Sequence, residues 1–430
     1  MIPQEENSLL IQTDPGTPCG ELMRRYWQPV ALTEELPRGG GPIGVKVFGE
    51  DLVLFRDDQG RPGLLGIHCS HRGTDLSYGR VENGGLRCLY HGWLYDVRGR
   101  VVEQPGEPGG GADRAGIHHL AYPCREAGGA IFAYMGPGEP PLLPDYEFLA
   151  VPQEQRTVTK ILVDCNYLQA NEGNIDPVHL SFLHQKLEEA ETDPRRIVPG
   201  SDASDNSLLA KDIAPTIEVD VTDFGLRIYA IRKSGPAGCY LRVTNFILPN
   251  LAAFGGSTVA EGYSVHWHVP IDDNRHWKYA FMFSRKRALD QELRYKNAAE
   301  LTHDYRLNRN EVNRYQQERA SMRTKSFTGM GFNFQAHDAF ATESQGPIQD
   351  RTAEHLVSSD KAIVAARKLL LNAISDVKAG REPQHVIKDL KSNRFPHLIV
   401  HSELLPASTD WKKYVRKLES KCQRTINADS

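Results

Sequence analysis

Between about residues 40 and 138 the apolar positions come in short bursts. GVKVFG, DLVLFRD, GLLGIH, LRCLYH and AIFAYMG are cut apart by Gly, Asp-Asp, Asn-Gly and Pro clusters. That pattern predicts short antiparallel strands joined by tight turns, a small all-β module. Ahead of it, Asp14-Pro15-Gly16-Thr17-Pro18 marks a turn and GELMRRYW a short helix. Behind it, the Pro- and Gly-rich stretch at 136–144 reads as a linker.

Beyond the linker the apolar runs lengthen. TVTKILVDC, FGLRIYAIRK, CYLRVTNFIL and YSVHWHVPI predict strands around a polar, partly helical segment at 166–190. The charged text at 290–325 predicts helix, and residues 361–380 predict an amphipathic helix stopping at Gly380. The expected class is α+β with an all-β module near the front. The boundaries read as a segment 1–27, a β module 28–140, a larger domain 145–380, and a tail 381–430 without an assigned role.

A chain of 430 residues suggests two domains, or a large and a small one. Its net charge of -4 gives no argument for a nucleic-acid or anionic-membrane partner. No apolar run approaches the roughly 18 residues that span a bilayer. The opening MIPQEENSLLIQ is acidic and lacks the basic-then-apolar order of a signal peptide, so a cytoplasmic protein is expected. Seven cysteines form an odd set, better read as ligands or core residues than as a disulfide framework.

Four residues carry the first chemistry. Cys69-x-His71 and Cys88-x2-His91 lie in IHCSHRGTDL and LRCLYHGWLYD. Two thiolates and two imidazoles can hold zinc or a [2Fe–2S] cluster. Zinc sites of this composition usually pair Cys with Cys and His with His. Here each loop supplies one of each, as a Rieske cluster needs, with both cysteines on one iron and both histidines on the other. Replacing two thiolates by neutral imidazoles raises the potential to roughly -150 to +300 mV, from about -400 mV. His68 adjoins this pattern but lies outside it, and reads as a loop histidine.

The second constellation is NEGNIDPVHLSFLH, with Glu172, Asp176, His179 and His184. Two histidines and a carboxylate on one face of an iron leave the opposite positions open for O2. Five residues separate His179 from His184, roughly 140° on an ideal helix. They meet at one metal only where the helix breaks, and Asp176-Pro177 favours a break. A bare His-x4-His is otherwise more often structural.

Taken together, these motifs resemble the Rieske non-haem iron oxygenases. Glu172, Asp176, His179 and His184 match that family's iron motif in order, and Cys69, His71, Cys88 and His91 its cluster motif, with HRG and YHGW beside them. Ser70 is a departure, where CPHRG is commoner. The likeness covers roughly residues 1–380. It is nearest the phthalate-dioxygenase-like branch, through PGTP-GEL-RRYW-PV and VFGEDLV-FRD. It implies a β-sandwich Rieske domain, a helix-grip catalytic domain, and a trimer or two stacked trimers.

The resemblance also implies roles. The third iron ligand would be Asp338, with Asp350 competing; Asp350 is otherwise an ion-pair partner of Arg351 or a helix cap. His337 stands where this branch has Gln, and reads as a neighbour of the ligands or a surface residue. Asp176 would link His179 to a cluster histidine of the next subunit, with Glu172 and Asn174 near the ligands or on a helix surface. Electrons would come from an NAD(P)H-dependent reductase of flavin or ferredoxin type.

The implied activity is O2-dependent oxidation of an aromatic substrate with a carboxylate, by ring hydroxylation or cis-dihydroxylation. The alternative within the family is O-demethylation of a methoxylated aromatic acid. Outside it stand an electron-transfer Rieske protein and a zinc-binding structural protein. A carboxylate calls for a buried cation, and the strand arginines Arg227, Arg232 and Arg242 are candidates unless they face solvent. Tyr229 and Phe246 read as pocket lining or core. His266 and His268 read as packed, hydrogen-bonded histidines rather than a second metal site.

Overall fold

Thr17 closes the opening turn. Its hydroxyl oxygen accepts the Gly20 N–H, and Pro18 takes the first helical position, where a missing N–H costs nothing. The helix it starts, α2 (Pro18–Met23), follows α1 (Gln4–Ile11). The computed structural model describes residues 1–108, 116–187, 212–235, 238–255, 262–289, 300–393, 395 and 398–428.

The predicted β module folds as three small antiparallel sheets. β1 (Gln28–Leu32) pairs with β11 (Ala130–Ala133), which pairs with β10 (Cys124–Ala127). β2 (Ile43–Val47), β3 (Glu50–Arg56), β4 (Pro62–Gly66) and β9 (Ala121–Tyr122) make the second. β5 (Arg80–Glu82), β6 (Gly85–Arg87), β7 (Leu94–Asp96) and β8 (Val101–Glu103) make the third. A separate core of Val53, Phe55, Leu65, Leu76, Leu86, Tyr95 and Val101 fills this end of the molecule and encloses Cys69 and Cys88. Each such apolar side chain contributes about 1.5–3 kcal/mol when fully buried.

After a short helix α3 (Glu147–Ala150), the larger domain is one antiparallel sheet. It contains β12 (Arg156–Val163), β13 (Thr216–Val221), β14 (Gly225–Lys233), β15 (Cys239–Ile247), β16 (Leu251–Phe254), β17 (Ser264–Asp272) and β18 (Arg275–Phe283), in the order β12-β18-β17-β16-β15-β14-β13. Helix α4 (Tyr167–Ile175) lies across β15 to β18 and packs on α5 (Phe334–Glu343), while α6 (Lys361–Lys378) covers β13 and β14 and packs on α1 and α2. Sheet and helices grip the site between them.

The amphipathic helix ends where predicted. Gly380 takes φ +70, its N–H bonds the Val377 carbonyl and that of Arg381 bonds Asp376, a cap that suits glycine. Two expectations change. Residues 290–299 of the expected helix at 290–325 lie outside the described residues. The rest holds short 3-10 turns, Glu311–Gln316 and Arg319–Arg323, because Asn310 and Asn313 bond nearby backbone groups and compete with an α-helical ladder. The tail also carries structure: β19 (His401–Leu405) pairs with β15, and α7 (Trp411–Ala428) follows.

Candidate metal centres

Two loops of the same build present Cys69 and Cys88. In each, the cysteine N–H donates to a carbonyl five residues on, Thr74 or Trp93, and its carbonyl accepts from a glycine four residues on, Gly73 or Gly92. Both glycines sit at positive φ, +75 and +77, which a side chain resists. The cysteines are buried, while the rings of His71 and His91 stand outside them with centroids 4.4 Å apart. Trp93 stacks flat on His71 at 4.8 Å.

The donors suit a two-iron cluster better than one ion. A single zinc would need all four donors about 2.0–2.3 Å from one point. Among the described residues, these four do not form a group whose donor atoms all lie within 4.8 Å of one another. Burial pushes the Cys88 thiol up, with Cys69 adding to it, while the N–H groups of Tyr90 and His91 favour its thiolate. A buried thiol pair of this kind ionises when a metal takes up the charge. Tyr95 Oη lies 3.0 Å from Cys69 Sγ and donates to it once the thiol is ionised. Ser70, the departure from the family pattern, has its hydroxyl 2.7 Å from His119 Nδ1, and His119 Nε2 donates to the Gly66 carbonyl.

The second centre forms where α4 stops. The helix ends at Ile175, Asp176 turns extended ahead of Pro177, and His179 opens a single 3-10 turn. The break brings the rings of His179 and His184 to 5.2 Å at 72°. Asp338, on α5, completes the set: its Oδ1 lies 3.1 Å from His184 Nε2, and one donor atom from each of the three residues falls within 4.8 Å of the others. Two imidazoles and one carboxylate suit ferrous iron with open positions. Burial raises the Asp338 carboxyl, but His184, Lys278 and His179 outweigh it and hold the group well below the usual range.

The surroundings select which ring nitrogen would face a metal. His179 Nδ1 donates to the Asp176 carbonyl at 2.5 Å, which leaves Nε2 free. His184 Nδ1 lies 3.2 Å from His337 Nδ1, and His337 Nε2 3.2 Å from Thr328 Oγ1. Burial, and then His184, push His337 down to about 4, so it is neutral. It accepts from His184, again freeing Nε2. Phe334 also stacks on His184, centroids 4.3 Å apart.

His179 and Asp338 line a cavity of about 210 Å³, together with Asn174, Asp176, His268 and Lys278. Its far wall is a balanced ionic group. Glu172 accepts from Arg351 and Arg367, and Arg367 also pairs with Glu354. On the sheet side, His276 Nδ1 donates to the Cys165 carbonyl, so its Nε2 accepts from His268 Nδ1 at 3.0 Å. His268 Nε2 is then an acceptor. Asn174 Oδ1 is placed 2.7 Å from it and 2.9 Å from His266 Nδ1, and because His268 Nε2 carries no proton the amide is assigned the reversed orientation, with its NH2 donating to both. Deep burial keeps these histidines neutral, with His266 and His276 pushed down to about 3.

The three candidate arginines face other partners, and none lines the cavity. Arg227 pairs with Glu419 on α7, and Arg242 donates to the Gly255 carbonyl. Arg232 donates to the Pro177 carbonyl at 2.7 Å and so braces the turn that carries His179. Tyr229 and Phe246 are core residues. Asp350 is not paired with Arg351: it accepts from the Thr352 N–H and hydroxyl, while Arg351 turns inward to Glu172 and Asn7. Sequence reasoning missed Lys278. Its signal was present in HWKYAF, a charge on the same strand face as His276, opposite His268 in register.

Comparison with known proteins finds relatives for both parts of the chain. A family model for the Rieske [2Fe-2S] domain matches residues 26–117, and one described as LigXa C-terminal domain like matches residues 133–430. The chain is 36% identical over 403 residues to the phthalate 4,5-dioxygenase oxygenase subunit of Pseudomonas putida, covering 88% of each. It is 31% identical to the 5,5'-dehydrodivanillate O-demethylase oxygenase subunit of Sphingobium sp., covering 92% of this chain and 85% of that one. Its fold matches the solved reduced complex between oxygenase and ferredoxin in carbazole 1,9a-dioxygenase, with TM-score 0.56 and 21% identity over 93% of this chain and 99% of that one.

Proposed function

The chain belongs to the Rieske non-haem iron oxygenases, and from that premise we propose that it oxidises an aromatic carboxylate in the cavity beside His179, His184 and Asp338. One observation carries this reading: two of the three donor residues, His179 and Asp338, line a cavity of about 210 Å³ whose wall includes the buried Lys278. A void of about 150 Å³ already holds a benzene ring. The relative that acts on phthalate supports ring hydroxylation.

Cys69, His71, Cys88 and His91 are proposed to hold the [2Fe–2S] cluster, and His179, His184 and Asp338 the mononuclear iron. When bound, these groups supply single electrons and a place where O2 is reduced. The chain's own residues prepare that chemistry. His179 and His184 are held in one tautomer by Asp176 and His337, and Arg232 braces the turn between α4 and His179. Asp176 is proposed to reach a cluster histidine of a neighbouring subunit in a trimer or hexamer. Its carboxylate is 25% exposed and stands 3.8 Å from His179. The donor is proposed to be an NAD(P)H-dependent reductase of flavin or ferredoxin type. The exposed Leu89 and Tyr90 next to His91 offer it an apolar landing.

O-demethylation is the second reading, favoured by the likeness to the demethylase subunit. Product analysis with benzoates, phthalates and methoxybenzoates, supplied with O2 and a reductase, separates the two. Ring diols are expected. Formaldehyde from methoxybenzoates alone would favour the second reading, and no O2 uptake with any acid would refute both.

A further inference from the structure

Lys278 sits on β18, one strand in from the β12 edge of the larger sheet, between Ile161 on β12 and His268 on β17. It is 3% exposed and lines the cavity with His179 and Asp338. An ammonium has three N–H donors and no acceptor. Among the described residues, Lys278 has one hydrogen-bond acceptor, the side-chain oxygen of Gln335, and no carboxylate within ion-pair distance. A buried charge left this way is costly unless something else comes to it.

The arginines nearby are matched. Arg367 faces Glu172 and Glu354, and Arg351 faces Glu172. Asp338 is turned onto His184. Glu343, the other nearby carboxylate, accepts from the Tyr315 hydroxyl and the Asp164 N–H. Glu343 has only neutral donors, so it acts on Lys278 from beyond ion-pair distance, and the ammonium keeps two N–H donors without an acceptor among the described residues.

We propose that Lys278 receives the carboxylate of the substrate, and so both orients the ring towards the iron ligands and selects anionic over neutral aromatics. This rests on the oxygenase reading and names the residue that sets its substrate class. Lysine suits the task as a compact cation on a flexible stem, and Gln335 holds it while leaving donors for the ligand. The neutral histidines on the same strand face present no competing charge.

The test is binding, measured by calorimetry on the iron-loaded protein without reductase. The probes are benzoate, phthalate and 4-methoxybenzoate, each beside its neutral amide. A charge-assisted contact predicts a preference for acid over amide of roughly 10- to 100-fold. In Lys278→Met and Lys278→Gln that ratio is expected to fall to about one, with amide affinity unchanged. General damage to the site moves both probes of a pair, whereas loss of a carboxylate partner moves only the ratio. Equal binding of acid and amide by the unaltered protein, no binding of any of the three acids, or an unchanged ratio in either variant would overturn the proposal. Absence of O2 uptake would instead strike the oxygenase reading and leave the binding ratio to decide this one.

Discussion

His179 gives its Nδ1 proton to the backbone carbonyl of Asp176 at 2.5 Å, while the carboxylate of the same residue stands 3.8 Å away. A backbone atom thus does the orienting that a side chain was expected to do. Among the described residues, the Asp176 carboxylate takes only the Val178 N–H, on one oxygen, which leaves the other for a further partner.

Asp176→Asn should therefore leave His179 in place. Iron content should stay at about three per chain, while turnover falls by roughly 100-fold or more, the upper end for loss of a supporting contact to a metal ligand. Iron analysis and steady-state O2 uptake on one preparation decide this. Turnover near the unaltered rate would end the idea that this carboxylate joins the two centres.

Tyr95 bears on the other centre. Its hydroxyl, 3.0 Å from Cys69 Sγ, stabilises charge on that sulfur, and the reduced cluster carries more of it. Tyr95→Phe is expected to lower the cluster potential by about 60 mV, the one-electron equivalent of about 1.4 kcal/mol. Redox titration followed by paramagnetic resonance reads this directly. An unchanged or higher potential would rule the contact out as a control on the cluster.

Glu172 makes a prediction about acid. Burial raises its carboxyl, but Arg351 and Arg367 outweigh that and hold it below the usual range. A carboxyl depressed in the folded chain stabilises the fold above its unfolded pKa of about 4.3, and that stabilisation disappears as pH drops through the lower folded value. Glu172→Gln leaves two buried guanidinium groups undercompensated and should cost about 3–5 kcal/mol at pH 7. In urea unfolding, the gap between variant and parent should narrow below about pH 4. A gap that does not change with pH would contradict the assignment.

Much of the fold was legible because periodicity records burial. The short bursts before the linker became the small sheets, the four longer runs became β12, β14, β15 and β17, and Gly380 ended α6. The expected helix at 290–325 failed where asparagine side chains offered the backbone closer partners than a helix would. The boundary at 380 failed because β19 carries few apolar residues and is recognisable only by the strand it joins. The arginines misled for a related reason. Strand position shows that a residue alternates, not which face meets the cavity.

The sequence by itself determined the donors: two Cys-His loops, a His-x4-His after Asp-Pro, and the turn residues that shape them, because local backbone preference and ligand chemistry reside in neighbouring residues. Tertiary structure decided what those donors meet. Asp338 reaches His184 from a distant helix, His337 orients its ring, and Lys278 enters the cavity from β18. Such contacts depend on how helices lie across a sheet, and that geometry follows from packing many segments at once rather than from any one stretch of chain.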